Sequence, residues 1–281
     1  MCDGVASVDG WAAVSEAPRW HEGRLWFSDF FRREVIALAP DGKSEVQLQL
    51  DDSPSGLGWR PDGTLLLVSM HEQRVLAWDG KRLSLVAGLA GLVGGPCNDM
   101  VVDAQGRAYV GNFGFDLYAR EEPRPTHLMR VDPDGRVHRV ADELWFPNGM
   151  AIAADGRTLI VAETLRHRLT AFDIGEDGSL DRRRVFAELP GVFPDGLCLD
   201  AQGAVWVADA RGYAVLRVFE GRGEVLRLST GENQGYACAL GGPDGRTLFV
   251  CTAPGVGPKA GGLRRGRIEI TTVGVAGMGH A

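Results

Sequence analysis

The chain has 281 residues, of which 44% are hydrophobic, and its formal net charge at pH 7 is −7. This acidic balance argues against a nucleic-acid-binding surface, and the sequence has no run of about eighteen apolar residues that could cross a bilayer. Five scattered cysteines without C-x-x-C spacing predict a reduced protein with no disulfide framework. The N-terminus lacks the features of a secretory signal, so we expect a cytoplasmic protein. With this charge and hydropathy, we expect no nucleic-acid or membrane partner.

A repeat runs through the chain, and each copy is marked by a turn glycine that precedes an apolar strand. The glycines lie 40 to 50 residues apart, at Gly23, Gly63, Gly106, Gly156, Gly203 and Gly245. The apolar runs that follow them occupy residues 25–29, 65–69, 108–112, 159–163, 205–209 and 248–252. Continuous apolar runs of this length are typical of strands that are buried on both faces.

Further strands complete each repeat. A third, alternating strand is predicted at 75–78 and 168–172, and a fourth, more polar strand at 45–48, 136–140 and 224–228. Four strands in each of six repeats predict an all-β fold, a six-bladed β-propeller with four-stranded antiparallel blades, in which residues 1–281 form a single domain. A β-sandwich is the alternative, but it gives no reason for six evenly spaced repeats.

The two ends of the chain are expected to meet in one blade. The last repeat shows three strands, which end near residues 267–270, and segment 10–14 precedes the first complete repeat. We expect this N-terminal segment to complete the sixth blade and close the ring, which leaves no open sheet edge. The irregular segment 116–126 is expected to be a long loop of blade three, and such loops on a propeller face often serve as lids.

The first strand of each blade lines the central channel of a propeller, so equivalent positions at its start converge on the axis. This position lies eight residues before the turn glycine, or seven in blade one, and it holds Glu16, Ser55, Asn98, Asn148, Asp195 and Ala237. The convergence of Glu16, Asn98, Asn148 and Asp195 would bring two carboxylates and two amide oxygens to one point. Oxygen ligands of this kind favour one hard divalent cation with open positions for substrate.

Other interpretations of these positions exist. Pro-Asn-Gly and Pro-Asp-Gly are ordinary turn sequences, and each alone is more often a turn than a ligand, but four oxygen-bearing residues in one frame favour the cation site. Ca²⁺ is the preferred ion, and Mn²⁺, Mg²⁺, Zn²⁺ and Fe²⁺ remain open. Cys97 and Cys198 lie beside the predicted ligands, where small core filler is the simpler interpretation.

The ends of the second strands should rim the same pocket. Among them, His71 and Asn112 are weak candidates for substrate contact, and each is as well explained as a loop residue that satisfies backbone groups. Asn98 is a candidate for both cation and substrate binding.

Several motifs together resemble one known family. Ser-Glu-Ala-Pro-Arg-Trp at 15–20, Cys-Asn-Asp at 97–99, Phe-Pro-Asn-Gly-Met at 146–150 and Pro-Asp-Gly-Leu-Cys-Leu-Asp at 194–200 are similar to the gluconolactonase, senescence marker protein (regucalcin) and luciferin-regenerating enzyme family. The resemblance covers residues 16–252. It implies a six-bladed propeller with an axial divalent cation held by the equivalents of Glu16, Asn148 and Asp195. It also implies that the Asn98 equivalent contacts metal or substrate, and that Asp195 is the general base of lactone opening.

The sequence departs from the family at the substrate side of the site. Pro96 stands where sugar-lactonase members have an arginine that holds substrate hydroxyls, and Met100 replaces the glycine that usually follows Asn-Asp. These changes predict a substrate that is less polar than a sugar lactone.

The resulting hypothesis is a metal-dependent hydrolase that opens a small-molecule lactone, with Asp195 as base. The alternatives are phosphotriester hydrolysis or a strictosidine-synthase-like condensation on the same scaffold, and a non-catalytic propeller that binds protein partners. A binding propeller would have no need of oxygen ligands in four channel positions.

Overall fold

The computed structural model describes residues 6–12, 15–255 and 266–278. These residues form six four-stranded antiparallel sheets. The first strands of successive blades contact one another in a closed cycle, so the sheets surround a common axis. The all-β six-bladed propeller is therefore confirmed. Within the described ranges, no helix is long and apolar enough to cross a membrane.

The first three complete blades follow in chain order after an N-terminal strand, β1 (Ala6–Ala12). Blade one contains β2 (Ser15–His21), β3 (Arg24–Asp29), β4 (Glu34–Leu38) and β5 (Ser44–Gln49). Blade two contains β6 (Pro54–Trp59), β7 (Leu65–Ser69), β8 (Arg74–Trp78) and β9 (Leu83–Gly88). Blade three contains β10 (Cys97–Val102), β11 (Ala108–Asn112), β12 (Thr126–Val131) and β13 (Val137–Leu144).

The second half of the propeller repeats this plan. Blade four contains β14 (Pro147–Ile152), β15 (Thr158–Glu163), β16 (Arg168–Ile174) and β17 (Leu180–Glu188), with a 3-10 turn at Thr164–Arg166. Blade five contains β18 (Pro194–Leu199), β19 (Val205–Asp209), β20 (Ala214–Phe219) and β21 (Gly223–Ser229). Blade six contains β22 (Gln234–Gly241), β23 (Thr247–Ala253) and β24 (Gly266–Thr272), followed in the sheet by β1.

The N-terminal strand closes the ring, as the sequence predicts. β1 lies antiparallel to β24, with Ala6 opposite Ile270 and Asp9 opposite Arg267. The closing strand occupies residues 6–12 rather than 10–14, and residues 13 and 14 lie outside the described part of the chain. Both ends of the blade array are thus held in one sheet.

The packing core lies between neighbouring blades. The second strand of each blade is buried along almost its whole length, as in β7, whereas the outer strand β5 has mostly half-buried and exposed residues. Leu66 and Val68 of β7 pack against Met100 and Val110 of blade three in one apolar cluster. Because the second strands are buried and the outer strands are not, the apolar runs of the sequence coincide with the second strands.

Two glycines in the channel strands are required by close packing. Gly149 and Gly196 follow Asn148 and Asp195 inside β14 and β18. A side chain at position 196 would clash with the Cβ of Ala237 in the next blade, and one at 149 would lie 2.6 Å from the backbone oxygen of Asp195. The turn interpretation of these motifs is therefore wrong, because both glycines lie inside strands, where they let the first strands of neighbouring blades approach each other closely.

The predicted insert of blade three is a long connection between β11 and β12. Residues 113–125 form no strand, and β12 begins at Thr126. Asp116 organises the first half, since its Oδ1 accepts hydrogen bonds from the backbone of Tyr118 and Ala119 at 2.9 Å. Action as a lid stays a prediction.

Candidate active site

The predicted axial residues occupy the same place in their blades. Glu16, Asn98, Asn148 and Asp195 are each the second residue of a channel strand, in β2, β10, β14 and β18. In every one of these strands the pairing register shifts immediately around that residue. A bulge of this kind breaks the alternation of side chains and can re-aim one of them, and all four residues share it at the same place in their blades.

Hydrogen bonds connect these residues from blade to blade. The Nδ2 group of Asn98 donates to the backbone oxygen of Pro147 at 3.2 Å, next to Asn148. Thr164 continues the chain, since its hydroxyl lies 3.3 Å from Asn148 Nδ2 and donates to the backbone oxygen of Pro194 at 2.7 Å, next to Asp195. The three residues Asn98, Asn148 and Asp195 are thereby held in adjacent positions.

The two carboxylates of the set are close enough to affect each other. Burial raises the pKa of Glu16 well above its usual value, and the charges of Asp195 and Asp99 raise it further. Burial and the charge of Asp99 likewise raise the pKa of Asp195, although hydrogen bonds from the Gly196 backbone and the Asn148 side chain act in the opposite direction. The protein groups around Glu16 and Asp195 therefore do not fully offset the negative charge of the two carboxylates.

Unpartnered polar atoms and backbone strain mark the same place. The buried Oδ1 of Asp195 and the buried hydroxyl of Ser15 have no hydrogen-bond partner among the described residues. Ala17, which follows Glu16, has a φ of 48°, a left-handed conformation that costs a non-glycine residue about 1 kcal/mol or more. Unpartnered buried polar atoms and a strained backbone both cost stability, so they persist only where the surrounding structure holds them in place.

The donor set fits a hard divalent cation. Two carboxylates and two amide oxygens match the ligand preference of Ca²⁺, and a cation would offset the mutual repulsion of Glu16 and Asp195. No cluster of three or more His, Cys, Asp and Glu side chains suited to a metal occurs in the described ranges. Any such site would therefore depend on the amides of Asn98 and Asn148 as well as on the two acids.

An ion pair that sequence reasoning missed lies against this set. Arg19 of blade one reaches Asp99 of blade three, and its Nη2 donates to the two carboxylate oxygens at 2.8 and 3.0 Å and to the backbone oxygen of Met100 at 2.9 Å. The pair spans 80 residues of sequence, and no local pattern indicates it. It partly neutralises the additional carboxylate of Asp99, whose charge acts on both Glu16 and Asp195.

The two rim candidates have different surroundings. His71 has a half-exposed side chain, and its Nδ1 lies 3.0 Å from Asp52 Oδ1. Asn112 is fully buried, with its Oδ1 accepting from the Gly114 backbone and the Thr126 hydroxyl and its Nδ2 donating to the His127 backbone. Asn112 thus braces the insert, and substrate contact by either residue stays a prediction.

The cysteine beside Asn98 behaves as a buried thiol. Burial, with a smaller effect of the Asp52 charge, raises the pKa of Cys97 to about 12. A thiol with this pKa is neutral at physiological pH and is a weak nucleophile. The interpretation of Cys97 as core filler is therefore favoured.

Aromatic side chains lie near the starts of the channel strands. Phe113 stacks on Phe146 with ring centroids 4.4 Å apart, and Phe115 lies 5.8 Å from the same ring. Tyr236 directly precedes the axial Ala237, and its pKa is raised by burial and by the charges of Asp195 and Glu16. The sequence does not point to Tyr236, because the axial position beside it is Ala237, which carries no oxygen ligand.

Comparisons with known proteins agree with this architecture. Residues 14–254 match the family model described as the SMP-30/gluconolactonase/LRE-like region. Regucalcin of Xenopus laevis is 26% identical, covering 94% of this chain and 93% of its own length, and pentonolactonase XacC of Haloferax volcanii is 28% identical, covering 91% and 87%. The solved structure of a calcium-binding protein, regucalcin, from Agrobacterium tumefaciens superposes with a TM-score of 0.83 at 22% identity, covering 99% of this chain and 96% of that one. The chain therefore belongs to the SMP-30/gluconolactonase/LRE-like family.

Proposed function

We propose that this protein is a divalent-cation-dependent lactonase, a hydrolase that opens a cyclic ester. The observation that carries the proposal is the buried carboxylate of Asp195, whose Oδ1 has no hydrogen-bond partner among the described residues and which lies close enough to the half-buried carboxylate of Glu16 to raise its pKa. A structural carboxylate would be satisfied by its neighbours, so the missing charge is expected from a bound cation. The related pentonolactonase supports a lactone as substrate.

Glu16, Asn98, Asn148 and Asp195 would hold the cation. When bound, a divalent cation supplies Lewis acidity that polarises an ester carbonyl and favours the oxyanion formed on it. Ca²⁺ is the preferred ion because every proposed protein ligand is an oxygen and because the Agrobacterium relative is described as calcium-binding. Mn²⁺, Mg²⁺, Zn²⁺ and Fe²⁺ are the alternatives to be tested.

Asp195 is the proposed general base. Its Oδ1 is free of protein partners within the described residues, whereas the rest of the carboxylate is anchored by Gly196 and Asn148. This oxygen can accept a proton from a water molecule that attacks the lactone carbonyl. The attack forms a new carbon–oxygen bond, and collapse of the intermediate breaks the bond between the acyl carbon and the ring oxygen.

The substrate is proposed to be less polar than a sugar lactone. Pro96 provides no side-chain donor for substrate hydroxyls, and its backbone oxygen is already used by the Phe113 backbone at 2.9 Å. The stacked Phe113 and Phe146 rings add apolar surface near the starts of β10 and β14. Apolar walls with few polar groups select ligands by shape and by a small number of hydrogen bonds.

A substrate screen with metal control tests this proposal. Chelated protein would be supplied separately with Ca²⁺, Mn²⁺, Mg²⁺, Zn²⁺ and Fe²⁺, then assayed by pH-stat against aliphatic, aromatic and sugar lactones and a phosphotriester. We expect lactone opening that requires the cation, with aliphatic or aromatic lactones preferred over sugar lactones. Activity confined to the phosphotriester, or lactonase activity untouched by chelation, would overturn it.

A further inference from the structure

A second set of polar side chains lies at the rim, outside the four axial residues. Asp52 is in the link between β5 and β6, and its side chain is only 11% exposed. Its Oδ2 accepts hydrogen bonds from the Ser69 hydroxyl at 2.7 Å and from the backbones of His71 and Glu72 at 2.9 Å. These donors fix the carboxylate and leave Oδ1 directed at the His71 ring.

The fixed carboxylate determines how His71 presents its two nitrogens. Nδ1 lies 3.0 Å from Asp52 Oδ1, so a proton on Nδ1 is held in that hydrogen bond. Nε2 has no hydrogen-bond partner among the described residues, and the side chain is 47% exposed. An imidazole whose Nδ1 is oriented by a buried carboxylate, with Nε2 accessible, is arranged for proton transfer.

The position of this pair relates it to the proposed catalytic centre. The backbone oxygen of Met70 accepts from the Cys97 backbone at 3.0 Å, so the His71 turn is tied to the strand start that carries Asn98. The His71 ring lies 5.8 Å from the Tyr118 ring of the insert. Ser69, two residues before His71, pairs with Pro54 at the start of channel strand β6, so the His71 turn lies at the same end of the blades as the channel-strand starts.

The groups around His71 favour its charged form. The ionisable residues near the ring or its carboxylate partner are Asp52, Arg33, Glu72, Cys97, Asp116 and Tyr118. The hydrogen bond from His71 to Asp52 raises the pKa of His71, and the charge of Asp116 raises it further, against burial and Arg33. The imidazolium fraction of His71 is thus larger than that of a free histidine at the same pH.

We propose that His71, oriented by Asp52, is the general acid that protonates the leaving ring oxygen of the lactone. This inference rests on the proposed lactonase function and adds the second proton transfer that ring opening requires. As the bond between the acyl carbon and the ring oxygen breaks, its electron pair goes to the oxygen, which takes the proton from His71 Nε2. Asp195 then releases to solvent the proton that it took from the attacking water, and the neutral imidazole regains one from solvent, so the net reaction consumes one lactone and one water and yields one hydroxy acid.

Leaving-group dependence separates proton donation from a structural role. An aliphatic lactone such as δ-valerolactone expels an alkoxide, whereas dihydrocoumarin expels a phenolate whose conjugate acid has a pKa of about 10. His71→Gln is expected to lower kcat for δ-valerolactone about 100-fold and for dihydrocoumarin by less than about 3-fold. It should also remove the decline of kcat at alkaline pH.

Two further variants serve as controls. His71→Arg keeps a cation beside Asp52 but cannot give up its proton, so it should lose activity on δ-valerolactone as Gln does. His138 has a similar pairing, with Nε2 3.0 Å from Asp132 and 43% exposure, yet it belongs to the far end of blade three, where Val131 pairs with Val137. His138→Gln should therefore leave both lactones unaffected.

Each result bears on the proposal. Equal losses on the two lactones, full activity of His71→Gln on δ-valerolactone, or rescue by His71→Arg would overturn general acid catalysis while leaving lactone hydrolysis intact. A wild-type protein that opens no lactone of the aliphatic, aromatic and sugar panel with any of the five cations would overturn both. Independently of activity, NMR titration of histidine-labelled protein should show that Asp52→Asn lowers the His71 pKa, and an unchanged value would contradict the Asp52 role.

Discussion

Two buried carboxylates in adjacent blades have opposite environments. Glu163, at the end of β15, accepts hydrogen bonds from the Trp145 backbone at 3.0 Å, Arg168 at 2.9 Å, Thr170 at 2.5 Å and Arg183 at 3.1 Å. Burial alone would raise its pKa, but these donors hold the pKa below its usual value. Asp195 is buried as well, yet its pKa is raised and one oxygen lacks a partner within the described residues.

The difference shows that the supply of donors, rather than burial, distinguishes a structural acid from a functional one. Glu163 is neutralised inside the protein and ties β15, β16 and β17 to the segment just before β14. Asp195 and Glu16 leave negative charge for something external to neutralise. The expected effects of mutating the two kinds of carboxylate are therefore opposite.

The largest effect is expected on activity at Asp195. Asp195→Asn removes the proposed base and one negative ligand, so kcat/KM for the best lactone should fall about 1,000-fold or more. Chelated protein should lose no thermal stability, because the substitution removes an uncompensated buried charge. Steady-state kinetics and thermal melts with chelator measure both, and full turnover with the cation bound would refute the base role.

Glu163→Gln should lower the stability of the protein and leave its activity nearly unchanged, which is the reverse of Asp195→Asn. Without its charge, Arg168 and Arg183 lose their shared partner, and the free energy of unfolding should fall by about 2–4 kcal/mol. Turnover per folded molecule should stay within about 3-fold of wild type, since the printed hydrogen bonds of the Glu163 side chain go to Trp145, Arg168, Thr170 and Arg183 and none goes to the four axial residues. Urea unfolding and active-fraction kinetics test this; a large loss of kcat at unchanged stability would remove the contrast.

Cation binding should stabilise the protein through the four axial residues and not through Glu163. At a cation concentration 100 times its Kd, linkage predicts about 2.7 kcal/mol, or roughly 5 °C in Tm for a domain of this size. Asp195→Asn should reduce that shift strongly, whereas Glu163→Gln should retain it. Differential scanning calorimetry in chelator and in Ca²⁺ compares the three proteins, and equal shifts in all of them would place the cation elsewhere.

The smallest effect concerns pH. The folded-state pKa of His71 is raised, so its pairing with Asp52 stabilises the protein below the unfolded pKa of about 6.5 and is lost as pH rises through the folded value. His71→Gln should therefore show a smaller fall in Tm between pH 6 and pH 8 than wild type. Parallel slopes would indicate that the ion pair contributes no stability.

The sequence predicts the fold well because the repeat carries redundant signals. Six turn glycines and six apolar runs have the same period. A strand that is weakly indicated in one blade can therefore be placed by comparison with the other five. The glycines after Asn148 and Asp195 were ambiguous, since a Pro-Asn-Gly motif can be a turn or a crowded strand. Only the next blade decides between them, because Gly149 lies against the Asp195 backbone and Gly196 lies against Ala237.

The candidate site was less predictable. The equivalent frame of Glu16, Asn98, Asn148 and Asp195 follows from the repeat, so their clustering could be inferred from spacing alone. The Arg19–Asp99 pair and the Asp52–His71 pair could not, because each joins different blades or loops through side chains. Sequence spacing shows which residues share a blade position, but it does not show which donors reach a given oxygen.

Isothermal titration of chelated protein with Ca²⁺ tests the central claim most directly. We predict one ion per chain for wild type and for Glu163→Gln, and binding weakened at least about 100-fold in Glu16→Gln and in Asp195→Asn. Equal binding by all four proteins, or no ion bound by wild type with any of the five cations, would contradict an axial cation held by Glu16, Asn98, Asn148 and Asp195.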